Sequence, residues 1–190
     1  HFSVSSKTRF PTLFERFSSR FGGATSNPTL QPEHAINYEV GASEQVFGST
    51  RVEGALFYSD ISNMIQSVPI IYAGQSVTQS QNVGDGTAKG FELGVTSRLL
   101  DNLEIGGNYT FIQREVTAPA TPLLKPTGTP DHKLFAYLDY RPLAGLSVVP
   151  SVEYASARYT SNSAGTAYFD TGEYVLVNLS ASYQITDNVE

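Results

Sequence analysis

Apolar and polar side chains alternate with a period of two along much of this 190-residue chain, and this pattern constrains the fold most. Between residues 102 and 111 the odd positions are apolar or glycine and the even positions are mostly polar. Such alternation is typical of a strand with one apolar and one polar face. The predicted strands cover residues 33–47, 51–67, 88–100, 103–117, 131–142, 145–159 and 174–185. The chain is therefore predicted to be an all-β, antiparallel up-and-down meander.

Charge and composition exclude several classes of protein. A formal net charge of -6 gives no basic surface for a nucleic-acid backbone. Without cysteine the chain has neither disulfides nor thiolate zinc sites. No apolar run approaches the ~20 residues of a transmembrane helix, and the mean hydropathy is -0.18. Because the strands of a membrane barrel alternate, they average to such an unremarkable hydropathy.

The connections between the predicted strands alternate in length. Short turns lie near residues 47–50, 100–102 and 142–145, and long polar segments near 10–32, 68–87, 116–130 and 160–173. In a meander, this order places every short turn at one end and every long loop at the other, as in outer-membrane barrels. A soluble β-sandwich, the main alternative, gives no reason for that asymmetry.

The two faces of the predicted strands carry different residues. Aromatic residues on the apolar faces are expected to form an interfacial girdle: Tyr38, Tyr58, Tyr109, Phe111, Tyr140, Tyr154 and Tyr183. The polar faces carry both signs of charge: Glu39, Glu53, Glu92, Arg98, Glu104, Asp139, Arg141 and Glu153. We expect Ile105 and Val177 to point outward, and Glu104 and Asn178 to point to the concave side.

Several sequence blocks carry a resemblance to a known family. The first block contains Arg9, Phe10 and Pro11, and the second contains Asn27, Pro28, Leu30, Pro32 and Glu33. Residues 37–41 (NYEVG), 57–65 (FYSDISNMI), 82–84 (NVG) and 88–94 (AKGFELG) follow. In this order the blocks resemble the β-barrel portion of TonB-dependent outer-membrane receptors.

The resemblance implies a part of a 22-stranded transmembrane barrel. Residues 1–190 would be a fragment of that barrel, without the plug domain and the last hairpin. The implied function is active import of a chelated nutrient, with a ferric siderophore favoured, TonB as the energy source and outer-membrane lipid as a further partner. Cobalamin or haem receptors of the same family, a passive porin, and a soluble adhesin or lectin module remain as alternatives.

Some local features point to no chemistry. Residues 84–90 (GDGTAKG) lack the spacing of a dinucleotide fingerprint. His1, His34 and His132 are not at metal-ligand spacing, so no metal site or cofactor is predicted. No nucleophile elbow occurs, and an enzyme is not expected. Pro11, together with Pro28 and Pro32, is expected to exclude helix from the first loop, and Gly90 is expected to mark a bend or bulge.

Ligand contact is expected at the long-loop end, because the short turns leave little to reach an incoming solute. Arginine can bond carboxylate or catecholate oxygens, and aromatic rings offer rigid apolar area. The predicted contacts are Arg16 and Arg20 on the first loop, Tyr72 on the second, and Tyr159, Tyr168 and Phe169 on the fourth.

Overall fold

The computed structural model describes residues 1–118, 124–162 and 167–185. Its first seven strands are β1 (Phe2–Arg9), β2 (Ala24–Thr25), β3 (Glu33–Val46), β4 (Thr50–Ser62), β5 (Ile65–Tyr72), β6 (Gln75–Asn82) and β7 (Asp85–Leu100). The others are β8 (Leu103–Thr117), β9 (His132–Leu143), β10 (Leu146–Ala155), β11 (Tyr159–Ser161), β12 (Tyr168–Asp170) and β13 (Tyr174–Tyr183). Helix α1 (Leu13–Phe17) and a 3-10 turn (Arg20–Gly22) lie between β1 and β2. No helix in this part of the chain is long and apolar enough to cross a bilayer.

Eight strands form one sheet, which we call the wall. Its order is β1-β3-β4-β7-β8-β9-β10-β13, and each neighbouring pair is antiparallel. The predicted sequential pairing is confirmed. The wall also includes β1, which was not among the predicted strands because only Phe2 and Val4 in it are apolar.

Two predicted segments were wrong in extent. The strand expected over 51–67 ends at Ser62, because Asn63 takes a positive φ of 57° and turns the chain out of the wall. The chain then enters β5 of a separate three-stranded sheet, β2-β6-β5. The segment expected to be a loop therefore contains a hairpin, whose turn residues Ala73 and Gly74 both have positive φ, as a tight hairpin turn requires. The strand expected over 145–159 ends at Ala155, and the fourth loop holds the β11-β12 pair.

The register confirms that the wall has one polar and one apolar face, divided as predicted. Glu104 pairs with Asp139, and the Tyr137 hydroxyl on the same face donates to Glu104 Oε1 at 3.0 Å. Through Tyr137 and Ser151 the register places Asn178 on this polar face too. Ile105, paired with Leu138, and Val177 lie on the opposite apolar face.

The apolar face of the wall is exposed, and most buried side chains lie elsewhere. On this face the exposed fraction is 60% for Leu56 and 76% for Val177. Among the residues that the structure describes, the buried apolar ones are Leu30, Ile65, Val68, Val77, Val83, Ala118 and Ala155, and of these only Ala155 lies in the wall. Among the described residues no second sheet covers the wall, so the closed two-sheet sandwich of the soluble alternative is not formed.

Two local predictions were wrong. The first loop does contain a helix, because Pro11 precedes the N-cap residue Thr12 instead of lying inside the helix. Pairing runs without a shift through Gly90, so no bulge lies there; the register shifts at residue 99 and near 147. A Cβ on Gly90 would collide with the backbone carbonyl of Phe111 on β8 and lie 2.7 Å from Phe57 Cζ, so glycine is needed for close packing and not for a bend.

Candidate functional site: the long-loop end of the wall

Four long connections gather at one end of the wall. The first loop (10–32), second loop (63–84), third loop (118–131) and fourth loop (156–173) follow β1, β4, β8 and β10. The short turns at 47–49, 101–102 and 144–145 lie at the opposite end. The predicted asymmetry is therefore present, and the long-loop end is the candidate site.

Arg9 ties the base of the first loop to its neighbours. Its guanidinium Nη1 donates to both carboxylate oxygens of Glu15, at 3.0 and 3.2 Å, and its Nε lies 3.5 Å from Glu33 Oε1. The other Glu33 oxygen accepts from the Ile65 amide at 3.0 Å, on the second loop. Two residues of the family motif, Arg9 and Glu33, thus join β1, α1, β3 and β5.

Glu15 also closes a capping box at the start of α1. Its carboxylate accepts from the Thr12 amide at 2.8 Å, while its own amide donates to the Thr12 hydroxyl at 3.1 Å. Burial would raise the pKa of Glu15, but the Thr12 amide and the Arg9 guanidinium outweigh it and hold the pKa below its usual value. Ionised Glu15 therefore stabilises the helix.

The second motif block joins the first loop to the second. The Asn27 side-chain amide donates to the Ser80 carbonyl at 2.9 Å. The Gln31 amide donates to Asn82 Oδ1 at 2.9 Å, and Asn82 Nδ2 returns a bond to the Gln31 carbonyl at 3.0 Å. Leu30 between them is 4% exposed. Sequence analysis assigned the block to a loop and did not find these partners, since they lie about fifty residues away.

The second, third and fourth loops are joined in turn. Val68 and Val83 of the second loop pack against Ala118 of the third in a small buried cluster. The Gly128 amide of the third loop donates to the Tyr159 carbonyl of the fourth at 2.9 Å. All four loops therefore form one connected layer over the end of the wall.

The two arginines predicted to contact ligand both interact with groups of their own loop. Arg16 donates through Nε to the Pro28 carbonyl at 3.2 Å, with a second bond from Nη2, and lies over the Phe17 ring. Arg20 is exposed, with its Cζ 5.2 Å from the centroid of the Phe14 ring. Arg16 is thus largely committed to loop structure, while Arg20 is accessible; their contact with ligand stays a prediction.

The predicted aromatic contacts are divided between two places. Tyr72 stands at the tip of the β5-β6 hairpin and is 59% exposed. The β11-β12 pairing places Tyr159 and Tyr168 on one face of the strand pair and Phe169 on the other. Among the described residues, no ring contact joins Tyr72 to the fourth-loop group.

Sequence analysis did not single out Arg114 and Lys125, which also lie at this end. Arg114 donates to the Thr127 carbonyl at 3.3 Å and to the Thr129 carbonyl at 3.1 Å, and so holds the third loop. Within the part of the chain that the structure describes, its buried Nε has no hydrogen-bond partner, an arrangement that costs about 1–3 kcal/mol. The Lys125 Nζ lies 4.0 Å from the centroid of the Tyr159 ring. Of these features, the alternation of β8 could have indicated that Arg114 lies on the polar face; the contacts of Arg114 and Lys125 could not have been found from the sequence.

Cavities lie along the polar face and at the loop end. One cavity of about 570 Å³ on the polar face is lined by Glu39, Glu53 and Glu92, with Arg51 as its one arginine. A cavity of about 150 Å³ near the short turns holds Arg98, Glu104, Asp139 and Arg141. A third cavity, of about 170 Å³, lies between the second and third loops.

Comparison with known proteins identifies the class to which this wall and loop layer belong. The family model described as TonB dependent receptor-like, beta-barrel, matches residues 1–190. The chain belongs to the TonB-dependent receptor β-barrel family. The predicted all-β barrel wall and the family resemblance are thereby confirmed, and this family is made up of outer-membrane transport receptors instead of enzymes.

Individual relatives are distant and longer. A probable TonB-dependent siderophore receptor, PiuA of Acinetobacter baumannii, is 29% identical over 94 residues, which are 48% of this chain and 12% of that protein. The copper transporter OprC superposes with a TM-score of 0.75 at 17% identity, over 98% of this chain and 29% of that one. The ferripyoverdine receptor of Pseudomonas aeruginosa gives 0.64 at 21% identity, over 98% and 25%. At these identities the solved structures show the shared fold, and this chain spans less than a third of their length.

Proposed function

We propose that the whole protein is an outer-membrane receptor that imports a chelated nutrient, with a ferric siderophore as the favoured cargo and TonB as the energy source. The observation that carries the proposal is the layer of four joined loops above a wall with one exposed apolar face and one charged polar face. Outer-membrane barrels pair such an apolar band with long extracellular loops. Family membership and the siderophore receptor among the relatives support the same function.

The proposal includes a complete barrel of 22 strands, with a plug domain and a last hairpin outside this chain. It also includes ligand contact by the six predicted residues and interactions with outer-membrane lipid and TonB. Haem receives less support than a siderophore from the positions of the histidines. His34 and His132 lie on the apolar face, where their Nδ1 atoms pair with Thr8 Oγ1 at 3.1 Å and the Tyr109 hydroxyl at 2.7 Å. His1 lines the cavity of about 570 Å³, but its Nε2 is paired with Glu39 Oε1 at 2.9 Å.

Uptake by whole cells tests the proposal. Accumulation is compared between a strain lacking the gene and the same strain complemented with it. Radioactive iron is supplied as a catecholate chelate, a hydroxamate chelate or ferric citrate, and cyanocobalamin and haem are tested separately. We expect gene-dependent accumulation of at least one iron chelate that disappears when TonB is deleted. Accumulation that survives loss of TonB would favour the passive porin, and cobalamin or haem uptake alone would replace the favoured cargo.

A further inference from the structure

The four loops are stacked side by side in the order of the chain. Phe14 of the first loop lines a small crevice together with Ser67 of the second, while Val68 packs against Ala118 of the third. Ser67 and Val68 are consecutive in β5, and consecutive side chains of a strand lie on opposite faces. The hairpin of the second loop therefore lies between the first loop and the third, and the Gly128 amide joins the third loop to the fourth.

The first loop ends this stack, and the free side of its helix is apolar. Leu13 and Phe17 are four residues apart in α1, so they share one side of the helix. Neither of them lines the crevice that Phe14 shares with the second loop. Leu13 is 76% exposed and Phe17 53%, and Phe10, just before the helix, is 72% exposed. We call Phe10, Leu13 and Phe17 the first-loop patch.

Ionic and capping bonds hold the first-loop patch in place. Glu15 lies two residues from both Leu13 and Phe17, and hence on the opposite side of α1. Its carboxylate accepts from Arg9, which lies on the polar face of the wall, and from the Thr12 amide. The helix is thus fixed to the wall with its apolar side directed away from Arg9. Grouped apolar side chains exposed on an ordered element are typical of an interaction surface, whereas single ones are not.

The free edge of the wall lies beside this surface. β1 pairs with β3 along one edge, and no strand of the described residues pairs with its other edge. In the complete barrel of the proposed function another antiparallel strand must pair there, because a closed barrel has no free edge. Since β1 runs toward the long-loop end, a short turn would connect it to that strand. The long loop before that strand, which we call the preceding loop, would then rise beside the first loop.

We propose that the first-loop patch is the docking surface for the preceding loop of the same receptor, which packs apolar side chains against Leu13 and Phe17. The contact continues the stack in which each described loop packs against or bonds the next. The proposal rests on the complete barrel of the proposed function and goes beyond it by assigning α1 a partner. In the complete receptor the apolar side of α1 is then covered and is not available to cargo.

A photo-reactive residue tests the contact in the complete receptor. Phe17 is replaced by benzoylphenylalanine, which keeps an aromatic ring at this position, cells that express the receptor are illuminated, and mass spectrometry identifies the attached peptide. We expect an adduct with the preceding loop. The same replacement of Phe47, which is 95% exposed at the short-turn end, should give no adduct with that loop. Attachment of position 17 to the plug, to lipid, to a second copy or to a separate protein would overturn the proposal, as would the absence of an adduct.

Matched variants measure how much the contact contributes. Phe17→Ala should make hydrogen exchange in the preceding loop about ten-fold faster, because part of its apolar cover is lost. Leu13→Ala should act in the same direction and serves where Phe17→Ala fails to assemble. Phe47→Ala removes an equal ring from the short-turn end and should leave this exchange unchanged. Unchanged exchange in both first-loop variants would overturn the proposal. Uptake by the unaltered receptor decides the proposed function separately, since a receptor that transports can still fail both of these tests.

Discussion

The wall and the loop layer distribute their apolar side chains in opposite ways. In the wall the large apolar residues are exposed, as in Leu93 at 52% and Leu179 at 72%. The loop layer has a buried centre, as in Val68 at 2% and Ile65 at 6%, beside exposed apolar residues such as Ile71 at 74%. A water-soluble sheet would show the reverse, because burial of apolar surface drives folding in water. The difference fits the proposed receptor, in which lipid is the solvent for one face of the wall and water the solvent for the loops.

The two regions are also held together differently. The wall depends on continuous backbone ladders, which any residue except proline can support. The loop layer depends on side chains bonded to distant backbone groups, such as Asn27 to the Ser80 carbonyl and Asn82 to the Gln31 carbonyl. We therefore expect the effect of a substitution in the wall to depend on whether the side chain faces lipid or water. The effect of a substitution in the loops should depend on the hydrogen-bond or packing partner that it removes.

The largest effect is expected from a charge on the apolar face of the wall. Leu93→Arg in the complete barrel should reduce the free energy of unfolding by about 2–4 kcal/mol, because it places arginine near mid-depth in lipid. Thr110→Arg is the control on the polar face, where it meets Glu92 across the strand pair, and it should change stability by no more than about 0.5 kcal/mol. Urea unfolding in phospholipid vesicles measures both. Equal losses would refute the assignment of the faces.

A smaller effect is expected from the core of the loop layer. Val68→Ala should destabilise the layer locally by about 1–2 kcal/mol, because it removes buried methyl groups and leaves a cavity. Hydrogen exchange should become faster at residues 65–82 and 124–131 and remain unchanged in the wall. Ile71→Ala, at a position 74% exposed in the same hairpin, is the control. Faster exchange throughout the wall would show that the two regions are not separable.

The two arginines of the first loop should differ although sequence analysis treated them alike. Arg16→Ala should loosen the first loop by about 1 kcal/mol, because the Pro28 carbonyl loses its donors. Arg20→Ala should leave the loop in place, since Arg20 is exposed over Phe14. Hydrogen exchange of residues 13–30 separates the two variants. Binding of an iron chelate to whole cells at matched expression then tests the contact: unchanged affinity in the double variant removes both charges from the mechanism.

The smallest effect is expected from acidification of the first loop. Because the folded state lowers the pKa of Glu15, its contribution to stability is present above the ordinary value of 4.5 and is lost as the pH falls through the lower folded value. Amide exchange in α1 should therefore increase relative to the wall in acid. Glu15→Gln should remove this dependence on pH. A dependence that remains in the variant would assign it to another group.

The strands of the wall could be predicted from the sequence, while their ends could not. Alternation placed Glu104 and Ile105 on the correct faces because the period of two is a local property. Alternation did not predict that β4 ends at Ser62, since the residues after Ser62 continue a strand pattern. A turn at Asn63 and pairing with β6 decide that boundary. The helix after Pro11 was missed because a capping box at Thr12 and Glu15 was not considered.

The sequence by itself determined the alternating strands, the order of short and long connections and the motif blocks that define the family. Each of these depends on residues close together in the chain. Only the tertiary structure decided that Arg9 and Glu33 join four elements, that Arg16 is committed to Pro28, and that Arg114 and Lys125 line one cavity. These facts depend on groups brought together from distant positions, and no local pattern encodes which partner a loop side chain will meet.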